Sequence, residues 1–150
     1  VLNEGIIMKL AVVRVRGRRK VRPSIEKTLE LLRLDRPNHC VLVEDTVQNK
    51  GMLHLVKDYV TYGPVEEGTI FRLLHKRGRK GRKLLRAVAG DEDIKKAASE
   101  IFAGKKTLEF ANPVFRLRPP SKGYSNIKAH YPEGDLGKRG ELDSLLRRMV

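Results

Sequence analysis

Lys9-Leu10-Ala11-Val12-Val13-Arg14-Val15-Arg16 carries the period-2 pattern of a β-strand. Successive side chains of a strand point to opposite faces. Ala11, Val13 and Val15 therefore share one face, and Leu10, Val12, Arg14 and Arg16 the other. The first face is apolar throughout, while the second turns cationic towards its end. Such a strand needs cover, and the following residues supply it. After a loop over 17–22, Pro23 or Ser24 opens a helix in which Ile25, Thr28, Leu29 and Leu32 recur at helical spacing. Arg36-Pro37-Asn38 ends that segment. Cys40 to Glu44 is a short run read as a buried second strand. Thr46 is placed to cap a second helix, with Met52, Leu55, Val56 and Tyr59 on its stripe. Val60 to Val65 is a third strand, and Gly63-Pro64 puts it near a sheet edge.

The order β-α-β-α-β over 9–66 defines a compact layered unit with helices covering one face of a sheet. Residues 1–8 read as a frayed lead-in, with Val1 standing where a start would carry Met and Met8 just before the first patterned segment. Residues 67–150 differ in character and read as a basic extension with helices, a strand and a long loop. In it, Thr69 is expected to cap a helix with Ile70, Leu73 and Leu74, and Asp91 another with Ile94, Ala97, Ala98 and Ile101, stopped at Gly104. Val114 to Arg118 reads as a strand, and Leu142, Leu145, Leu146 and Met149 as an amphipathic final helix. Between them 119–140 has no periodicity and is rich in Pro, Gly and Lys.

Charge narrows the function. In 150 residues, 32 Lys and Arg stand against 18 Asp and Glu, a formal net charge of +14. Like charges repel in a compact state, so the excess is explained by a polyanionic partner. No apolar stretch is long enough to span a membrane, and no signal peptide pattern opens the chain. The single Cys40 excludes an internal disulfide and reads as a small core residue.

The cations are clustered. Arg14, Arg16, Arg18, Arg19, Lys20 and Arg22 have no acid among them, and neither do Lys76, Arg77, Arg79, Lys80, Arg82 and Lys83. Glycines in the second run let backbone lie close to phosphates. A sparser group comprises Arg116, Arg118, Lys122, Lys128, Lys138 and Arg139, with Tyr124, His130 and Tyr131 as candidate stacking partners for unpaired bases. The bland alternative for all three is a set of solvated, unpaired loops.

Catalytic readings are weaker. His39, His54, His75 and His130 are scattered, and no His or Cys spacing matches a metal site. His39 and Cys40 are neighbours on a strand, so they face opposite ways. Glu44-Asp45 ends a strand, and Asp91-Glu92-Asp93 opens a helix, where acids are favoured electrostatically. No phosphate-binding or dinucleotide loop has the required spacing. Neither catalytic residue nor cofactor is assigned, and no small-molecule substrate is expected.

Leu34-Asp35-Arg36-Pro37-Asn38-His39-Cys40-Val41-Leu42-Val43-Glu44-Asp45-Thr46, with Lys50-Gly51-Met52 and Val56 to Gly63, resembles the large-subunit ribosomal protein L-thirty family, which includes the eukaryotic L-seven proteins. The resemblance begins at Leu10. A second block, Pro113 to Pro120, and the segment Gly134 to Gly140 with the final helix, resemble its long archaeal and eukaryotic form. Pro37 stands where the family usually has Ile or Val, and Val47 where it commonly has Pro.

The resemblance implies an α+β fold: a three-stranded, mainly antiparallel sheet with helices on one face, a relative of the ferredoxin-like fold. It also implies a non-catalytic, cytoplasmic role in the large subunit, contacting its RNA near the 5S RNA and neighbouring ribosomal proteins. Under it, Arg14, Arg16 and Arg18 lie near Arg36, Asn38 and His39, while Lys50 sets a cation at a helix start, itself a phosphate-binding element. Rival readings are a free nucleic-acid-binding regulator and an RNA-processing factor.

Overall fold

In the computed structural model, described over residues 9–17, 21–104, 111–124, 128–131, 133–139 and 142–150, every residue of β1 (Lys9–Arg14) is buried. The reason is its place at the centre of a sheet. β2 (His39–Glu44) and β3 (Val60–Pro64) flank it, both antiparallel, with Val12 opposite Val41 on one side and Tyr62 on the other. α1 (Pro23–Leu31) and α2 (Val47–Leu55) connect these strands, giving the β-α-β-α-β order of the sequence. The lead-in over 1–8 lies outside the described residues, apart from which the three-stranded α+β core is as the resemblance implied.

The alternation along β1 separates two cores. Leu10 and Val12 pack with Leu29, Leu32 and Leu34 around α1 and with Leu53 and Val56 around α2. Ala11 and Val13 face the other way, into a larger cluster built mainly from the chain after β3. That cluster draws on α3 (Glu67–Arg77), α5 (Asp91–Phe102) and α6 (Asp143–Met149), through Leu73, Leu74, Ile94, Ile101, Leu145 and Leu146. Between α3 and α5 lie a two-stranded hairpin, β4 (Arg79–Lys80) and β5 (Lys83–Leu84), and the short α4 (Leu85–Val88).

The extension also enlarges the sheet. β6 (Val114–Arg116) pairs antiparallel with β2, and β7 (Gly137–Lys138) pairs parallel with β3, giving the order β6-β2-β1-β3-β7. The sheet is therefore mixed, and both edges of its three-stranded centre are covered. Gly63 and Pro64 do sit on the outermost core strand, as a prolyl nitrogen without a donor requires. The Pro64 carbonyl still accepts from the Leu142 amide at 3.2 Å.

Local starts and stops differ in detail from the sequence reading. Thr46 caps α2 as expected, accepting from the Asn49 amide at 3.2 Å. That helix stops at Leu55, however, and it buries Leu53 completely while Leu55 stays 50% exposed. Met52-Leu53-His54-Leu55 offers two overlapping stripes, and packing against β1, not periodicity, selects between them. α3 begins before its expected cap, after Glu66, and α5 begins on it, with Asp91 as its first residue after Gly90. Thr69 instead lies inside the first turn of α3, its hydroxyl bonded to the Asp143 carboxylate of α6.

Candidate nucleic-acid interface

Two cations expected at an RNA surface lie inside the fold. Arg14 is 3% exposed and donates to the carbonyls of Leu34 at 2.7 Å, Arg16 at 3.0 Å and Gly17 at 3.2 Å. It therefore ties the loop after α1 to the end of β1. Arg139 is 7% exposed; its Nε donates to the Thr61 hydroxyl at 2.9 Å, and its guanidinium is paired with the buried Asp135 carboxylate. The same guanidinium lies 4.9 Å over the Tyr131 ring. Both residues act as braces, since their donors are already engaged within the protein. Sequence alternation marked Arg14 as cationic but not as enclosed, because enclosure came from loops distant in sequence.

Around Arg14 the expected convergence is present in part. The Asn38 amide donates to the Arg14 carbonyl at 2.7 Å, and Asn38 adopts a positive φ of 66°. Asn tolerates that left-handed conformation better than most residues. Arg36 is exposed just before it, and His39 stands opposite Arg116 of β6 in the sheet. Burial, then the Arg116 charge, lowers the His39 pKa below its ordinary value, so the neutral imidazole is favoured here. Arg16 lies 5.2 Å over the Tyr59 ring. Arg18, Arg19 and Lys20 lie outside the described residues. Arg22, immediately before α1, is exposed.

The second basic run folds as the end of α3 and the β4–β5 hairpin. Lys76, Arg79, Lys80, Arg82 and Lys83 are all exposed, while Arg77 is half-buried. Gly78 makes the hinge possible: a Cβ there would meet the Leu74 carbonyl oxygen at 2.3 Å. The Gly81 turn, at φ +66°, is held by Asn112, whose amide donates to the Arg79 carbonyl at 2.7 Å and whose Nδ2 donates to the Gly81 carbonyl at 3.0 Å. Arg33 and Arg116 from the core unit and β6 line the same cleft as Arg77, Arg79 and Arg82. Arg33 was missed in the sequence, where it reads as the end of an amphipathic helix; its φ of 64° turns it out of α1.

The third group is more scattered. Arg118, Lys122, Lys128 and Lys138 are exposed. Lys50 is exposed in the first turns of α2 and pairs with Asp45 at 3.1 Å. Tyr124 is not presented for stacking: its hydroxyl donates to Asn38 Oδ1 at 2.6 Å and its ring packs against the larger core. Burial, with Asp135 adding to it, pushes the phenol up to about 12. His130 meets Asp58 at 2.8 Å, while Tyr131 is half exposed.

Cys40 is fully buried, and burial pushes its thiol up to about 12, which leaves it protonated and inert at neutral pH. Among the described residues no group of three His, Cys, Asp or Glu is placed to hold a metal ion. No described helix is long and apolar enough to cross a membrane.

Buried arginines brace this α+β sheet from within and exposed ones crowd its loops, which puts the chain among small basic scaffold proteins. Residues 10–60 match the family described as Ribosomal protein L30p/L7e. The chain is 46% identical to the large ribosomal subunit protein uL30 of Archaeoglobus fulgidus, over 93% of this chain and 98% of that one. Its identity to the uL30 proteins of Nanoarchaeum equitans and Methanococcus maripaludis is 42%, over 93% and 95% of this chain and 97% and 100% of theirs. The chain belongs to the L30p/L7e family of ribosomal proteins, and its role is structural and not enzymatic.

Proposed function

We propose that this chain is a constituent of the large ribosomal subunit in the cytoplasm, where it binds and stabilises folded ribosomal RNA by shape and phosphate contacts. The 9–66 unit is the rigid platform, and the 67–150 extension carries most of the further contacts. The observation behind this is the sorting of cations: of the fifteen described members of the three basic groups, eleven are exposed, Arg16 and Arg77 are half-buried, and the two buried ones, Arg14 and Arg139, brace the fold from within. Such an arrangement suits phosphate neutralisation, in which each contact releases a condensed counterion. A-form RNA hides its sequence in a narrow groove, so shape and backbone are what a rigid basic surface reads. Proximity to the 5S RNA and to neighbouring ribosomal proteins follows the family resemblance and is part of the same proposal.

Sedimentation tests it against a free regulator. The endogenous protein should co-migrate with large subunits in moderate salt and leave them only in high salt. Residence in the light fractions at all salt concentrations would remove the ribosomal assignment.

A further inference from the structure

A cleft of about 410 Å³ lies where the C-terminal turn of α3, the β4–β5 hairpin and β6 meet. Five arginines line it, Arg33, Arg77, Arg79, Arg82 and Arg116, and no carboxylate does. They come from three separate parts of the chain, so folding adds Arg33 and Arg116 to the arginines of the 76–83 run. Among the described residues none of the five forms an ion pair with an acid.

The cluster is also held in place. Asn112 grips the hairpin turn on both sides, accepting from the Gly81 amide at 3.3 Å and donating to its carbonyl at 3.0 Å. Gly78 lets the chain leave α3 directly into the hairpin, and the Leu85 amide returns to the Gly78 carbonyl at 2.9 Å. At the junction Arg77 has its Nε buried without a hydrogen-bond partner. Burial, then the charges of Arg118, Arg86 and Arg79, draws this guanidinium below its ordinary range. Like charges gathered this closely repel one another, and a buried donor without an acceptor is unfavourable. An anion seated in the cleft offsets the repulsion.

We infer that this arginine cleft seats the phosphodiester backbone of an RNA strand, a reading that rests on the proposed ribosomal function and assigns it a place. Guanidinium forks match phosphate oxygens bidentately. No aromatic side chain lines the cleft, so it offers no platform for stacking a base. The contact is therefore with backbone and is indifferent to base identity. Exposed Lys80 and Lys83 on the same hairpin extend the cationic surface beyond its mouth.

The test uses the full chain and transcribed large-subunit ribosomal RNA, with filter binding measured across a salt series. R79Q/R82Q/R116Q should bind more weakly at low salt and flatten the log–log salt slope by roughly 2–3, about 0.7–0.9 for each phosphate released. R79K/R82K/R116K, which keeps the charges, should recover most of that slope. K95Q/K96Q on α5, beside Asp91, Glu92 and Asp93, should leave it as in the parent chain. Strong parental binding with an unaltered slope in R79Q/R82Q/R116Q would overturn the cleft while leaving the ribosomal reading standing. Absence of RNA binding by the parent chain would overturn both. If polyglutamate of matched charge displaces RNA from the parent chain but not from R79Q/R82Q/R116Q, the cleft takes acidic peptide and the phosphate assignment falls.

Discussion

The hydroxyl of Tyr124 donates to Oδ1 of Asn38 at 2.6 Å, across 86 positions of sequence. One bond thus fastens the long loop of the extension to the turn that enters β2. That turn is already held by the Asn38 amide on Arg14 and by the Leu117 amide on the Asn38 carbonyl at 3.1 Å. Tyr124→Phe removes the link without removing the ring. It should lower stability by about 0.5–1.5 kcal/mol, read from denaturant midpoints at constant m.

The same phenol gives a pH signature. Folding raises it from 10.0 to about 12, chiefly because burial disfavours the phenolate. The neutral phenol is the folded form, so its stabilising contribution is complete below pH 10 and is lost as pH rises through about 12. Absorbance titration of phenolate should lose its latest step, near pH 12, in Tyr124→Phe, while Tyr62, which burial also raises, still titrates late in both chains.

Arg139→Gln deprives the buried Asp135 carboxylate of its guanidinium and should cost about 3–5 kcal/mol in thermal or urea unfolding. Asp135→Asn combined with Arg139→Gln should be less damaging than Arg139→Gln alone. Equal losses would show that the pair contributes only through packing.

Two glycines should respond oppositely to alanine. At Gly78 the added methyl collides with the Leu74 carbonyl oxygen at 2.3 Å, a backbone atom that cannot yield cheaply. Gly78→Ala should destabilise by about 1–3 kcal/mol. Gly51 lies within α2 with open space around it, so Gly51→Ala should stabilise by about 0.8–1.0 kcal/mol. Differential scanning calorimetry of both variants measures the contrast.

Arg18, Arg19 and Lys20 complete the first basic run beyond the described residues. Replacing all three with Ala should weaken RNA binding at low salt and flatten the salt slope by about 0.7–0.9 for each phosphate no longer neutralised. An unchanged slope would class them as solvated charge.

Much of the fold is legible in the sequence because its signals are local. The period-2 run at Leu10–Val15 and the helical stripe through Leu29 and Leu32 each report one element's own burial. What escaped depends on distant partners. β7 is two residues long and exists through pairing with β3, with no pattern of its own. The choice of Leu53 over Leu55 was made by the sheet beneath α2. The site follows the same division. Clustering in sequence found the cations of 76–83, but Arg33 joined them only through folding, and Arg14 and Arg139 were withdrawn from solvent by it.

Closure of the sheet by β6 and β7 also has a consequence in time. Thr61 on β3 bonds Gly137 on β7 across 76 residues, so during synthesis that strand waits roughly 4–15 s for its neighbour at ordinary elongation rates. Throughout that interval the outer edge of β3 is unpaired, and an open strand edge is a surface on which chains adhere to one another. A message broken before Gly137 would fix the polypeptide in that adhesive state. A segment made late, at Gly137, thus shields a strand edge made early, at Thr61.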